Sequence, residues 1–228
     1  MNTYDRLRLL VGSPAPGQAV RRWTIDFLTG LLDGRIDLMA IQHPLGFFCF
    51  PVWRGTGLGV CLHVWAEGPR AAPTTSPMHA HSWDLVSVVL YGTVGNEIID
   101  VDPAPARPTH RIFEIQSAAD GDLVRATSRL ASYRIRSCER FRAGETYTLR
   151  HGVFHVSDVH GAAATVVLGR DRHGTRDRSL APLSTTDHWV QRIACTATET
   201  RRIAKTTLDH LLAVALPEHL EDRCEQAN

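Results

Sequence analysis

Two histidines one residue apart, His79 and His81, open the apolar run "PMHAHSWDLVSVVLYG" that ends at Gly92. Successive side chains of a strand alternate faces, so this spacing sends both imidazoles to one side, where they can converge on a point. Neutral imidazoles on an apolar face are costly unless something takes their lone pairs, and a divalent metal ion is the commonest such acceptor. A third candidate ligand, His155, lies in "FRAGETYTLRHGVFHVSDV", where Gly144 precedes a strand, Gly152 makes a turn and His155 opens the next strand. His151 sits beside that turn and reads as exposed. His43, His63 and His160 read as structural or surface histidines.

The elements around these residues are mostly short and β-rich. The stretch 19–35, "AVRRWTIDFLTGLLDGR", has apolar residues at helical spacing and is predicted to be a helix ended at Gly34. From about residue 40 to 170, runs such as "HPLGFFCFPVWRG", "LGVCLHVWAEG", "HRIFEIQ" and "AATVVLGRD" alternate with glycine, proline and aspartate, the pattern of a sandwich or barrel. The segment from about 186 to 222 returns to helical spacing, with Ile203, Leu208, Leu211, Leu212 and Ala215 as its apolar stripe. Residues 1–228 are thus expected to form a single unit: a mainly β barrel with helical cover at both ends. The stretches "GPRAAPTTSP" and "DPAPARPTH" read as loops.

Composition narrows the function classes. The chain has 43% hydrophobic and 21% charged residues, as ordinary globular proteins do. Its formal net charge is +1, and even its most arginine-dense segment, "GRDRHGTRDRS", interleaves aspartates, which argues against a nucleic-acid partner. There is no leader-like start and no uninterrupted apolar run long enough to span a bilayer, so the expectation is a cytoplasmic protein with no membrane partner. The five cysteines are scattered without a CxxC pair and are expected to be buried free thiols.

"MHAHSWDLVSVVLYG" resembles the first cupin motif, a His-x-His pair on a strand closing on glycine. "GETYTLRHGVFH" resembles the second, in which a glycine turn precedes the last histidine. The likeness covers about half the chain, from Gly46 to Arg170. It implies a cupin double-stranded β-helix, or jelly-roll barrel, holding one metal ion on His79, His81 and His155. Cupins usually add a glutamate four or five residues after the second histidine. Here those positions are Leu85 and Val86, and Asp84 stands one residue too early, facing away unless the strand is bulged. The expected ligand set is therefore three neutral histidines with open positions for water, oxygen or substrate.

Within cupins, "LHVWAEGPRAAPTTSPMHAH" and "GVFHVSDV" are similar to segments of the cysteine dioxygenase group. That resemblance implies an Fe(II)- and O2-dependent oxygenase acting on a small, amino-acid-like molecule, with Arg54 holding the substrate carboxylate. Tyr147, on the strand before the last histidine, is the candidate donor to an oxygen ligand of the metal. The chain lacks that group's cysteine after the histidine pair and its later histidine and tyrosine. A second resemblance, of "HPLGF", "HVW" and "HAHSWDLVSVVLYG", is to the cupin halves of bacterial hydrazine-forming synthetases. It implies Zn(II) and a non-redox rearrangement that forms an N–N bond, with a separate synthetase activating the amino acid. A third reading is a metal-stabilised cupin that only binds a ligand. Trp65 and Trp83 are expected to line the core or the pocket rim, and the terminal helices to cover the barrel or form a homodimer contact.

Overall fold

The computed structural model describes residues 1–68, 74–103, 105–118 and 120–213. Among the described residues, fourteen strands form two antiparallel seven-stranded sheets. The first contains β1 (Ile41–His43), β2 (Phe47–Gly55), β3 (Leu58–Trp65), β5 (Trp83–Tyr91), β9 (Thr146–Leu149), β11 (Ala163–Asp171) and β14 (Ile193–Ala194), in the order β14-β1-β2-β3-β11-β5-β9. The second contains β4 (His79–Ala80), β6 (Thr93–Asp102), β7 (His110–Ser117), β8 (Gly121–Arg142), β10 (Phe154–Asp158), β12 (Arg178–Pro182) and β13 (His188–Gln191), in the order β13-β8-β6-β10-β4-β12-β7. A further pairing of β7 with the long β8 bends the second sheet back on itself. The neighbours in each sheet are mostly distant in sequence, as in a jelly roll.

Alternation, interrupted by irregularities in β2 and β11, sorts the side chains of the first sheet. Phe50, Val60, Leu62, Val88 and Val166 are fully buried and face three helices, α1 (Thr3–Val11), α2 (Pro16–Leu32) and α3 (Ala197–Ala213). Leu7, Leu28 and Leu211 fill the facing side of that layer. The intervening residues Phe47, Cys49, Cys61, His63, Leu85 and Val167 face the barrel interior and line its cavity. Each fully buried aliphatic side chain is worth about 1.5–3 kcal/mol, so slipping one strand by a residue, which would exchange the two faces, is prohibitive. In the second sheet Ala80 and Phe154, the neighbours of His79 and His155 on their own strands, are buried with Ile99, Ile112 and Leu180, and this apolar cluster helps set the register that carries the histidines.

The glycine that ends the first histidine run has a plain steric role. Gly92 turns β5 into β6 with φ +75°, and a Cβ there would stand 2.2 Å from the carbonyl oxygen of Ala162.

The helical boundaries differ from those expected. The N-terminal helix runs from Pro16 rather than Ala19 and ends at Leu32, with proline at its first turn, and α1 precedes it, capped by the Asn2 side chain on the Asp5 amide. At the other end residues 188–194 are strands, not helix: Val190 is buried, Trp189 is exposed, and β13 pairs with β8. The helix starts only after Thr196, whose hydroxyl accepts from the Glu199 amide while the Glu199 carboxylate accepts from the Thr196 amide. This Thr-x-x-Glu capping box was the signal for the true start. Sheet structure likewise runs past 170, through β12, β13 and β14. Ala215 and the rest of the expected helix to 222 lie outside the described residues. Among the described residues no helix is long and apolar enough to cross a membrane.

Candidate metal centre

β4 and β10 pair antiparallel with His79 directly opposite His155, and His81 follows two residues on. Ring centroids lie 4.3 Å apart for His79 and His155, 4.8 Å for His79 and His81, and 5.2 Å for His81 and His155. One ligand atom from each comes within 4.8 Å of the other two.

Two backbone carbonyls decide which nitrogens are available. Nδ1 of His79 lies 2.9 Å from the carbonyl oxygen of Pro77, and Nδ1 of His155 lies 3.3 Å from that of Val153. A carbonyl only accepts, so each Nδ1 carries the proton, leaving the Nε2 lone pair of each ring free for an ion. Burial holds all three imidazoles neutral: it lowers the pKa of His79, lowers that of His81 well below the ordinary value, and takes His155 down to about 3. Mutual repulsion among the rings adds to this for His81 and His155. Three neutral, pre-tautomerised imidazoles fit a divalent ion of the borderline class.

The turn that delivers His155 is fixed from outside the cavity. Gly152, at φ +76°, donates its amide to the carbonyl of His81 at 2.8 Å, which ties the two motifs together. Asp84 accepts from the His151 amide and lies 2.9 Å from the His151 ring, and it also pairs with Arg172. It therefore faces away from the triad, as an unbulged strand requires, and braces the turn. Asp177 accepts from the Ser82 amide at 2.6 Å and pins the chain just after His81. As expected, His151 is partly exposed, and His160 lies on the surface beside Asp158.

The triad opens into a cavity of about 320 Å³. Its apolar wall includes Phe47, Trp83, Leu85, Leu149 and Val167, and Trp83 packs against His81 at 4.3 Å between ring centroids. Trp65 is buried against Phe47 on the same wall. Tyr147 lines the cavity next to Ser87, its register partner; burial pushes its hydroxyl pKa up, so it stays a donor. That hydroxyl lies near Ser87 and Asn96, yet Ser87 Oγ and both Asn96 side-chain polar atoms lack a well-formed hydrogen bond among the described residues.

Arg54 also lines the cavity, on the wall it shares with a smaller neighbouring space of about 210 Å³. Its guanidinium donates to the carbonyls of Trp53 and Val60, each at 3.0 Å, and to Cys61 Sγ at 3.1 Å. Among the described residues it has no carboxylate partner. A second arginine on the cavity wall, Arg192, is neutralised by Asp122. Asp122, Cys49 and Cys61, for which the sequence alone suggests no site role, line this cavity with Arg192, and so do His43 and His63, expected to be structural or surface histidines. His43 stacks on Phe47 and is held well below its ordinary pKa by burial and by His63. Cys61 shares a hydrogen bond with Cys49 and faces Arg54, which draws its thiol pKa down and leaves Cys49 the proton-bearing partner.

No described protein family matches the chain, and no curated protein does. Solved structures that match include a cupin-2 domain protein from Shewanella frigidimarina, with 14% identity over 54% of this chain and 79% of that one, at TM-score 0.29. Hydroquinone 1,2-dioxygenase from Sphingomonas sp. TTNP3 matches with 12% identity over 53% of this chain and 64% of that one, at TM-score 0.34. A DMSP lyase from Ruegeria pomeroyi matches with 13% identity over 58% of this chain and 50% of that one, at TM-score 0.33. The chain thus spans between half and four-fifths of the length of these structures. Two antiparallel sheets enclosing a cavity, with the two motif segments meeting at His79 and His155, give this chain a jelly-roll barrel, the fold that the resemblance of its two motifs to those of cupins implies.

Proposed function

We propose that the chain is a mononuclear metal-dependent enzyme acting on a small, polar, amino-acid-like substrate, and that it is an Fe(II)- and O2-dependent oxygenase related to thiol dioxygenases. The observation that carries the metal reading is the triad itself: three neutral imidazoles, His155 buried and His79 and His81 half-buried, two of them locked by Pro77 and Val153 with Nε2 free. His79, His81 and His155 would hold the ion, and bound iron supplies the electrons that activate O2 beside the substrate. A ligand set without carboxylates leaves the ion's charge uncompensated, which favours an anionic donor from the substrate.

The chain's own groups provide the rest. Arg54 retains N–H donors beyond those given to Trp53, Val60 and Cys61, and these hold a carboxylate at the cavity wall. The apolar wall of Phe47, Trp83, Leu85 and Val167 excludes water from the reacting end of the substrate. Tyr147, kept protonated by burial, offers a hydrogen bond toward the same space.

The test is elemental analysis of protein purified without added metal, then anaerobic Fe(II) reconstitution and oxygen uptake across a panel of thiols and amino acids. Uptake that needs both iron and one panel member supports the proposal and begins to name the substrate. Tightly held zinc with no uptake overturns the oxygenase and favours a non-redox zinc rearrangement, with a separate enzyme activating the substrate.

A further inference from the structure

Cys49, Cys61 and His63 form a second cluster on the opposite wall of the same cavity, with one ligand atom from each within 4.8 Å of the others. The sheet builds it as it builds the first. Cys49 on β2 is the register partner of His63 on β3, and Cys61 precedes His63 by two residues, so all three side chains leave one face. The register between these strands shifts between Phe50 and Trp53, so Cys61 stands across from the irregular part of β2.

We infer that Cys49, Cys61 and His63 are a second metal site, of the soft type, distinct from the three-histidine centre and taking a thiolate-preferring ion such as Zn(II). Two sulfurs and one imidazole match the ligand chemistry of zinc, and three protein donors leave a fourth position toward the cavity. The Arg54 guanidinium, 3.1 Å from Cys61 Sγ, supplies the outer hydrogen bond that thiolate ligands commonly receive and steadies the negative sulfur. The two centres differ in charge. Two thiolates cancel the charge of a divalent ion, whereas three imidazoles leave it intact, so the walls select for different ions. Neither the oxygenase nor the rearrangement reading uses this cluster.

The experiment uses the full chain, stripped of metal under anaerobic, reducing, thiol-free conditions. Equilibrium dialysis with Zn(II) counts the sites, and Co(II) titration reports sulfur ligation through its near-ultraviolet thiolate-to-metal charge-transfer absorption. The expected result is two bound equivalents with the absorption saturating at one. His155→Ala should remove one equivalent and leave the absorption, whereas Cys49→Ser or Cys61→Ser should remove the absorption and leave the triad's equivalent. Cys138→Ser, on an exposed residue, should change neither. A single equivalent without charge-transfer absorption, or absorption that survives both serine variants, overturns the inference. If a serine variant fails to fold, thiol mapping of the wild type decides: zinc must shield Cys49 and Cys61 from alkylation, and equal labelling with and without zinc overturns the site. Failure of the triad would appear separately, as the absorption with only one equivalent in the wild type.

Discussion

Metal-free protein should lose stability on mild acidification, and one histidine carries a calculable share of the loss. His155 is 2% exposed and its folded-state pKa lies at about 3, against about 6.5 for a free imidazole. Because the folded value is the lower one, the unfolded chain takes up the proton first. Stability is therefore intact above about pH 6.5 and is lost as the pH falls toward 3. Between about pH 7.5 and 5.5 the unfolded state gains about 1.4 kcal/mol from protonating this one side chain, while the folded state gains almost nothing. In a chain of this length that corresponds to a fall in Tm of about 3–5 °C. His81 and His43, also held well below the ordinary value, act in the same direction and steepen the fall. The assay is calorimetry of chelator-treated protein at about pH 7.5, 6.5 and 5.5 and constant ionic strength, for the wild type and His155→Gln. Glutamine does not titrate, so the pH-dependent loss in the variant should be smaller by about 3–5 °C, whatever its Tm at neutral pH. Equal pH dependence in the two proteins would show that His155 is not buried neutral and would refute the account of the triad.

Three further outcomes follow from the geometry. Asp84→Ala releases the His151 amide and ring and Arg172 together, and should weaken metal binding by about 10–100-fold without touching a ligand, read by competition with a chromophoric chelator. Arg54→Ala should raise KM for a carboxylate substrate by about tenfold or more with a smaller change in kcat, and an unchanged KM would remove Arg54 from the substrate site. Gly92→Ala places a methyl group 2.2 Å from the Ala162 carbonyl at a positive φ, and should cost about 2–4 kcal/mol in denaturant unfolding.

The triad was legible because its two halves are local patterns. His79-Ala80-His81 needs only the alternation of a strand, and the glycine turn before His155 sits beside its ligand in sequence. The second cluster was passed over, although Cys61-Leu62-His63 repeats the spacing of the first histidine pair. Cys49 joins it only through the β2–β3 register, and the three residues form no CxxC spacing. Arg192 and Asp122 are hidden for the same reason: Arg192 follows β13, whose residues fall in the stretch of helical spacing from about 186, and the pairing of β13 with β8 is long-range. The barrel itself was plain from its punctuation by glycine and proline, whereas the start of α3 turned on a capping pair at Thr196 and Glu199 that an apolar-stripe reading overruns.

The face-to-face meeting of His79 with His155 also orders events in time. These residues are far apart in the chain, and their strands pair only with each other and with strands from still other parts of it. The pair His79 and His81 is local, but the full three-histidine set does not exist until the loop between β4 and β10 has closed, which is a late and entropically costly step in a topology of non-local contacts. An ion thus arrives at a nearly finished barrel and serves as a latch rather than a nucleus. Its presence should leave the refolding rate unchanged and slow only the rate of unfolding.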